Sequence, residues 1–375
     1  MPDWSFSFSL LSLSYGSKWI TLICLLSYSA TANPLCRNVA PTATTKCACG
    51  NTVLVCDSSS GVFCQDSQCH TSLPLCQGQW LNPTLNSIVH QFEGSCKLSH
   101  GITVDAATNL ELLGSSAGID PAVTLGIMSE SSSRHFTVQS GGVLCLTGLH
   151  LTGGKQVGGK GGTLYITGAI NAVSYLIIVG CLIESGTGKT NNVAQHGGII
   201  YIGENSRVNI EGSTLQNTQS QYAGAMWITG RNLALAEDAS SHAHGTYPPT
   251  VNITSTIIQD CVAFSSASNH QGNGGAIRIR MGSILNVQSS TFKSNTGDYG
   301  GAIFTDDNVA VALANTTFDS NSANWDGGAI FSTASSTIHL YESTFQSNTA
   351  SRFSGGVLIK DVTNIYLQRG SNTFT

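Results

Sequence analysis

Short apolar runs alternate with polar, glycine-rich turns along most of this chain, most regularly between Asn273 and Lys360. Runs such as Ala302–Phe304 and Val309–Leu313 are bounded by Gly, Asn, Asp and Ser, which is typical of short strands joined by turns. Apolar residues in this stretch do not follow the i, i+3, i+4, i+7 spacing that a long helix requires. The pattern therefore predicts an all-β structure.

Two motifs repeat through the same stretch at a nearly constant period. The first is Gly-Gly followed by Ala-Ile or Val-Leu, and its copies start 26, 27 and 28 residues apart, at Gly274, Gly300, Gly327 and Gly355. The second is Thr-Phe-x-Ser-Asn, whose phenylalanines are Phe292, Phe318 and Phe345. A period in the twenties predicts one solenoid coil per repeat.

A constant register stacks identical positions of successive coils into columns. We expect an aliphatic column of Ile277, Ile303, Ile330 and Leu358, an aromatic column of Phe292, Phe318 and Phe345, and a hydrogen-bonded ladder of Asn295, Asn321 and Asn348. The glycine pairs, which include Gly275, Gly301 and Gly328, are expected at a corner where φ is positive or where a close backbone approach excludes a Cβ atom.

The alternation of Gly-Gly-Ala-(Ile/Leu/Val) with Phe-x-x-Asn resembles the repeat of the chlamydial polymorphic outer membrane proteins, over residues 273–375 and in diluted form over about 140–272. The resemblance implies a right-handed parallel β-helix, a single-stranded β-solenoid of the pectin lyase-like kind, displayed at or beyond the cell surface. Bacterial members of that family act in adhesion. Their C-terminal membrane barrel does not carry over to this sequence, and the chain stops within a further Thr-Phe motif, so we expect a truncated C-terminus.

Gly-Gly pairs at 141–142, 161–162 and 197–198, with Ala223-Gly224 as a degenerate copy, extend the repeat towards the N-terminus. We place the β-helix at 88–375. One coil is expected to carry a loop insertion at 231–250, because Val251–Thr254 aligns with Leu285–Gln288.

Residues 1–32 have the features of a signal peptide. Lys18 precedes the apolar run Trp19–Leu26, and the small-x-small site Ala30–Ala32 follows. The apolar run is much shorter than the ~20 residues of a membrane-spanning helix. We therefore expect a secreted or cell-surface protein with no transmembrane span beyond this segment.

Residues 33–87 form a cysteine-rich module. A dense, even set of cysteines after a signal peptide predicts a disulfide framework of undetermined pairing, formed here by Cys36, Cys47, Cys49, Cys56, Cys64, Cys69, Cys76 and Cys96. A zinc site built from Cys47, Cys49, Cys64, Cys69 and His70 is the disfavoured alternative, because no Cys-x-x-Cys pair is present. Cys145, Cys181 and Cys261 lie in strand-like runs and are expected to be buried.

The charge balance argues against a nucleic-acid partner. The chain has a net charge of −5, only 10% charged residues, and 16 lysines and arginines that do not cluster in sequence. Its 41 glycines suit turns, and its hydrophobic share of 41% is large enough for a continuous core.

Carboxylates on neighbouring coils are the best candidates for catalysis: Asp298, Asp306, Asp307 and Asp326. Paired carboxylates hydrolyse glycosides, and a carboxylate set could hold calcium for a polysaccharide lyase. The alternative is turn chemistry, since adjacent side chains of a strand point to opposite faces and Asp-Asp-Asn is common in turns. We expect no lysine or arginine in register beside these aspartates.

Two further motifs are weaker. Ser185–Thr190 has the end of a phosphate-binding loop, but Ile183 stands where that motif needs a glycine. His242 and His244 could bind a metal, although an exposed loop is the simpler interpretation. We expect no resident cofactor or metal.

Asn252 and Asn315 begin Asn-x-Thr sequons, of which Asn252, beside the insertion, is expected to be the more accessible. Aromatic contacts with a glycan or protein ligand are expected at Trp227, Tyr299 and Trp325, with buried stacking as the alternative. The favoured function is non-catalytic adhesion, glycan or protein binding, or cell-envelope structure. The alternative is a polysaccharide lyase or glycoside hydrolase. The oligomeric state is left open.

Overall fold

A computed structural model describes residues 101–106, 108–114, 133–184, 194–230, 247–264, 272–361, 364–367 and 372–375 of the chain. Outside these ranges it describes only individual strands, namely Ser14–Tyr15, Lys18–Trp19, Cys47–Cys49, Thr52–Leu54, Phe63–Gln65, Gln68–His70, Ile88–Gln91, Cys96–Leu98 and Val123–Ile127. All regular structure in these residues is β, as predicted. They contain no helix long and apolar enough to cross a membrane.

The chain divides into two units, Met1–Leu35 and Cys36–Thr375. In the first unit, Ser14–Tyr15 and Lys18–Trp19 pair as an antiparallel hairpin, and the rest of the predicted signal peptide lies outside the described residues. The second unit begins with two antiparallel hairpins, Cys47–Cys49 with Thr52–Leu54 and Phe63–Gln65 with Gln68–His70. The cysteine side chains of this region are not among those described, so the disulfide framework stays a prediction.

From Ile88 onwards the chain winds into a parallel β-helix with four sheets. In a representative coil, Ile284–Gln288 belongs to the first sheet, Thr291–Lys293 to the second, Thr296–Tyr299 to the third and Ile303–Thr305 to the fourth. Each strand pairs in parallel with the equivalent strand of the next coil. The predicted fold is confirmed at this level, and its right-handedness stays a prediction.

The strands of each sheet follow one another coil by coil. The first sheet comprises Ile88–Gln91, Asn109–Leu113, Val143–Thr147, Ser174–Val179, Ser206–Glu211, Thr250–Thr254, Ile284–Gln288, Ala310–Ala314, Thr337–Tyr341 and Asn364–Leu367. The second comprises Cys96–Leu98, Val123–Ile127, Leu149–Thr152, Leu182–Glu184, Thr214–Gln216, Ile257–Gln259, Thr291–Lys293, Thr317–Asp319, Thr344–Gln346 and Thr373–Phe374. The third comprises Gln156–Lys160, Ala194–His196, Gln219–Tyr222, Val262–Ala263, Thr296–Tyr299, Ser322–Asp326 and Thr349–Ala350. The fourth comprises Ile102–Val104, Phe136–Gln139, Leu164–Thr167, Ile200–Ile202, Met226–Thr229, Ile277–Arg280, Ile303–Thr305, Ile330–Ser332 and Val357–Ile359.

The predicted aromatic column fills one side of the core. Phe292, Phe318 and Phe345 are in register and buried, with ring centroids 4.9 and 4.7 Å apart and rings almost parallel. Phe374 continues the column with a centroid distance of 4.8 Å. The spacing matches the distance between hydrogen-bonded strands, about 4.7–4.9 Å. Coil stacking and ring stacking therefore reinforce each other.

The asparagine ladder is also confirmed. Asn295 donates through Nδ2 to Oδ1 of Asn321 at 3.0 Å, and Asn321 donates to Oδ1 of Asn348 at 2.9 Å. Each amide also reaches main-chain groups, since Asn321 Oδ1 accepts from the Asn295 N–H and Asn321 Nδ2 donates to the carbonyl of Phe292. Asn295 and Asn321 have no exposed surface. The ladder thus satisfies the main-chain groups at the turn between the second and third sheets.

The two glycines of a pair serve different purposes. Gly300 has φ of 64°, a left-handed conformation that glycine adopts without strain. A Cβ atom on Gly301 would overlap the carbonyl oxygen of Gly328 in the next coil and lie 2.6 Å from the nitrogen of Ser322. The first glycine therefore turns the corner, and the second lets successive coils approach closely.

The predicted register is wrong in the last repeat. Val357, and not Leu358, pairs with Ile330 and ends the aliphatic column. The Ile330 N–H donates to the carbonyl of Gly356, which occupies the position held by Ala329 one coil earlier. Ser354 takes the left-handed corner position, with φ of 50°. The sequence alignment matched glycine to glycine, whereas the backbone stacks the turn conformations.

The pair at 141–142 is not a copy of the repeat corner. Gly161 and Gly197 precede strands of the fourth sheet, but Gly141 and Gly142 precede Val143–Thr147 of the first sheet. Glycine is needed at more than one corner of a coil, and a dipeptide alone does not identify the corner.

The alignment around the insertion is confirmed, because Val251–Thr254 pairs with Leu285–Gln288. Residues 231–246 of the insertion lie outside the described residues, while Thr250, placed in the insertion by the prediction, is the first residue of a strand. The three predicted core cysteines, Cys145, Cys181 and Cys261, are buried. Burial raises the pKa of the Cys181 thiol to about 11, so it behaves as a small apolar side chain.

We predict that Gly301→Ala destabilises the solenoid far more than Gly282→Ala. Gly282 has a positive φ of 70°, but a Cβ atom there would meet no atom within 4 Å. The control change should cost roughly 1–2 kcal/mol of backbone strain. Gly301→Ala instead forces two coils apart and should cost about 3 kcal/mol or more. Urea unfolding followed by circular dichroism measures both. Equal midpoints for the two variants would refute the close-approach argument.

We also predict that Asn321→Ala lowers the free energy of unfolding by about 2–4 kcal/mol, since it leaves the buried Asn295 N–H and Phe292 carbonyl without partners. The matched control is Asn252→Ala in an exposed ladder, where Asn252 bonds only the side chains of Asn209 and Asn286. That change should cost less than about 1 kcal/mol. A loss at Asn321 no larger than at Asn252 would contradict the buried ladder's role.

Candidate functional site

The outer face of the fourth sheet carries a continuous column of rings and one arginine. Side chains alternate across a strand, so the residue between two core-facing positions points outward. Register places these outward residues side by side in six successive coils: Tyr165, Tyr201, Trp227, Arg278, Phe304 and Phe331. We call this set the outer column.

Stacking buries most of the outer column although it lies outside the main core. Tyr201 and Trp227 are 8% and 6% exposed, and they belong to a hydrophobic cluster separate from the core. The rings of Tyr165 and Tyr201 stack with centroids 5.2 Å apart, as do those of Phe304 and Phe331 at 5.4 Å. The column therefore offers solvent its ring edges and polar atoms more than its ring faces.

A second column runs beside it along the end of the third sheet. Lys160, His196 and Tyr222 are in register there. The His196 ring stacks on Tyr222 at 4.9 Å and meets the Trp227 ring edge-on at 4.6 Å, which joins the two columns. Further along, Tyr299 pairs with Asp326 in the same column.

Cations cover several of these rings. Arg134 lies 4.8 Å from the centroid of Tyr165, and Lys160 lies 4.7 Å from that of Tyr201. Arg278 sits between two rings, 4.7 Å from Trp227 and 5.0 Å from Phe304. Contacts of this kind attract the cation to the ring quadrupole and partly desolvate it.

Arginines also hold two of the predicted catalytic aspartates. Arg278 Nη2 lies 2.9 Å from Asp306 Oδ2, and Arg280 Nη2 lies 2.7 Å from Asp307 Oδ2. Arg280 Nε lies 3.2 Å from Asp306 Oδ1, an ion pair without hydrogen-bond geometry. The expectation that no basic residue lies in register with these aspartates is therefore wrong. Arg278 and Arg280 occupy the outward positions of a fourth-sheet strand, which the Ile-x-Ile spacing after Gly-Gly-Ala could have revealed.

Burial works against charge on both partners of this pair. It raises the pKa of Asp306, an effect that Arg278 and Arg280 oppose, and it lowers the pKa of Arg278, which Asp306 opposes. Asp306 is 8% exposed and Asp307 lies in a turn with φ of 60°. Both aspartates are therefore held by arginine side chains, which also supply the nearest opposite charge.

The other two catalytic candidates lie at the third sheet, on a different element. Asp298 is 3% exposed and accepts hydrogen bonds from the Gly272 N–H at 3.0 Å and from Asn324 Nδ2 at 2.9 Å. Asp326 is paired with Arg352. The structure thus gives each of the four aspartates its own partners.

The three predicted aromatic contact residues differ in exposure. Trp227 is buried within the outer column. Tyr299 is half-buried, with its ring 5.2 Å from that of Phe331, and Trp325 is half-buried beneath Arg352, 5.4 Å from the guanidinium. The stacking alternative describes Trp227 better than ligand contact does.

The sequons differ in setting. The Asn252 amide lies within a strand and bonds Asn209 and Asn286 on either side. Asn315 lies at a turn with φ of 48°, and its side chain is exposed. Both asparagines are exposed, so the expected difference in their accessibility stays a prediction.

The described side chains contain no group of three or more His, Cys, Asp or Glu residues that could hold a metal ion. The Ser185–Thr190 loop, the His242 and His244 pair and the side chains of the cysteine-rich module lie outside the described residues.

His196 provides a pH-dependent prediction. Burial, together with Lys160, Arg278 and Arg280, lowers its pKa to about 4 from 6.5. Between these values the unfolded chain binds a proton that the folded chain does not, so stability present above pH 6.5 should be lost as the pH falls towards 4. His196→Gln should show a flatter decline of the urea midpoint over that range. Superimposable pH profiles for the two proteins would contradict the placement of His196.

Residues 315–333 match the family model described as the Chlamydia polymorphic membrane protein (Chlamydia_PMP) repeat. The match begins at the turn after the first-sheet strand Ala310–Ala314. It includes the second-sheet strand Thr317–Asp319 and the next Gly-Gly corner, and so covers most of one coil. No curated protein and no solved structure matched the chain. The resemblance predicted from the two alternating motifs is confirmed by this repeat, over these residues.

Proposed function

We propose that this chain is a secreted or cell-surface β-helix protein that binds an extracellular glycan or protein without turning it over. The matched repeat is named for a membrane protein, which supports a location at the cell surface. A parallel β-helix presents long, rigid faces made of repeated positions, and such faces suit recognition of an extended ligand.

The proposal rests on the observation that arginines are paired with three of the four candidate catalytic aspartates. Asp306 and Asp307 are bonded to Arg278 and Arg280, and Asp326 to Arg352. A general acid or nucleophile has to reach its substrate, whereas a substrate at Asp306 would first have to displace a buried ion pair. These groups support the face more readily than they perform chemistry on it.

One feature favours the second candidate, a polysaccharide lyase or glycoside hydrolase of the β-helix type. Clustered aspartates with basic partners, Asp306 and Asp307 beside Arg280, are the kind of set such an enzyme requires. Burial also raises the pKa of Asp306, as it does in general acids. Calcium would be the cofactor under this alternative only.

A combined binding and turnover assay on the whole chain separates the two candidates. The panel contains pectins, alginates and neutral glucans, each with and without calcium, and a cell-binding arm tests for a protein ligand. We expect retention on a glycan or on cells, with no new reducing ends and no unsaturated products.

Products that disappear in Asp306→Asn, but persist in the control Asp319→Asn on the second sheet, would establish the enzyme and overturn the proposal. Asp319 lies away from the arginine cluster and is bonded to Ser320. If the chain binds none of the probes and forms no products from them, the proposed binding function is also refuted.

A further inference from the structure

Four cations lie on or beside the outer column. The chain has 16 lysines and arginines against 21 acidic residues, yet Arg134, Lys160, Arg278 and Arg280 all lie on or beside the outer column. Cations in such a group that are not neutralised by a carboxylate attract an anionic ligand. A cation that is already paired with a carboxylate is less available to a ligand.

Two of these four cations have carboxylate partners within the described part of the chain. Arg278 and Arg280 are paired with Asp306 and Asp307. Among the described residues, the ion pairs include neither Arg134 nor Lys160, which lie instead over tyrosine rings. Lys160 is exposed and Arg134 is half-buried. Both therefore keep donors for an incoming anion.

Arg134 and Lys160 lie over the two stacked rings of Tyr165 and Tyr201. Arg134 and Lys160 both lower the pKa of the Tyr165 phenol, against burial and Tyr201, which raise it. The Tyr165 and Tyr201 rings are stacked 5.2 Å apart beneath these cations. His196, in register with Lys160 in the next coil, has a buried Nδ1 with no hydrogen-bond partner in the structure.

One carboxylate opposes them. Glu204 follows the strand Ile200–Ile202 and raises the pKa of both tyrosines, while Arg280 acts on Tyr201 in the opposite direction. With Arg280 engaged by Asp307, the described charges that act on Tyr165 and Tyr201 leave two cations, Arg134 and Lys160, against one carboxylate, Glu204. An anionic group on a hydroxylated ligand suits this positive balance.

We infer that this end of the outer face binds an acidic polysaccharide, with a carboxylate or sulfate group held by Arg134 and Lys160 over the Tyr165–Tyr201 stack. The inference rests on the proposed binding function and assigns it a site and a ligand class. Phenol and imidazole edges supply hydrogen-bonding groups for sugar hydroxyls. Because equivalent positions recur about every 4.8 Å along the stack, a chain-like ligand can contact several coils.

The test measures binding of the full chain to alginate oligomers, dextran sulfate and uncharged dextran by titration calorimetry at two salt concentrations. We expect binding to at least one of the two anionic probes, weakening as salt rises, and little binding to dextran. Which anionic probe binds tells carboxylate from sulfate.

Variants then locate the site. Lys160→Ala should weaken binding about tenfold, as expected for loss of one hydrogen bond to a charged group, and the double change with Arg134→Ala should weaken it further. Glu204→Gln should tighten binding severalfold, because it removes the opposing charge. Lys293→Ala, an exposed lysine on the second sheet, is the charge-matched control and should bind like the parent. Circular dichroism checks that each variant is folded, and Lys160→Gln replaces Lys160→Ala if it is not.

Each contrary outcome overturns the inference. Equal losses of affinity in Lys160→Ala and Lys293→Ala would indicate diffuse electrostatic attraction. Equal affinity for uncharged dextran would show that binding does not require an anionic group. Retention on cells or glycans that is unaffected by Lys160→Ala would refute this site but leave the proposed function standing. Absence of any binding would refute both.

Discussion

The coil-to-coil main-chain register is the constraint on which the rest of this structure depends. Parallel hydrogen bonds fix the distance between equivalent residues of neighbouring coils at about 4.8 Å. Gly301 and its equivalents make that spacing possible at the corner before the fourth sheet, where any Cβ atom would overlap the next coil. Once the spacing is set, every side-chain position becomes a column, whether in the core or on the surface.

Columns turn small local preferences into cooperative interactions. In the core, stacked phenylalanines bury their faces against each other, and Asn321 bonds coils on both sides. Such buried polar ladders stabilise only when every group is satisfied, since an orphaned amide in this environment is costly. The same geometry on the outer face lets Arg278 lie between Trp227 and Phe304, with its charge answered by Asp306.

The outer face is therefore not uniform along its length. Towards the C-terminal coils, aspartates offset the charges of Arg278, Arg280 and Arg352. Towards the N-terminal coils Arg134 and Lys160 lie over tyrosines, and neutral His196 lies close by. A repeat fold can thus place a local site on a regular scaffold by changing a few outward residues while leaving the inward ones alone.

The repeat, the all-β class, the phenylalanine column and the asparagine ladder could all be predicted from the sequence, because from Phe292 and Asn295 onwards these inward positions keep the same residue type in successive coils. The sequence alone misplaced the last aliphatic position by a residue and assigned Gly141-Gly142 to the wrong corner, since glycine pairs serve several turns. The surface pairs, by contrast, depend on how the coils stack in three dimensions. Arg278 contacts Asp306, 28 residues away, and Lys160 lies over Tyr201, 41 residues away. No local pattern in the sequence predicts which outward side chains become neighbours. Inward side chains pack into one shared core, so their residue types repeat. Outward side chains contact only their immediate neighbours, so their residue types vary.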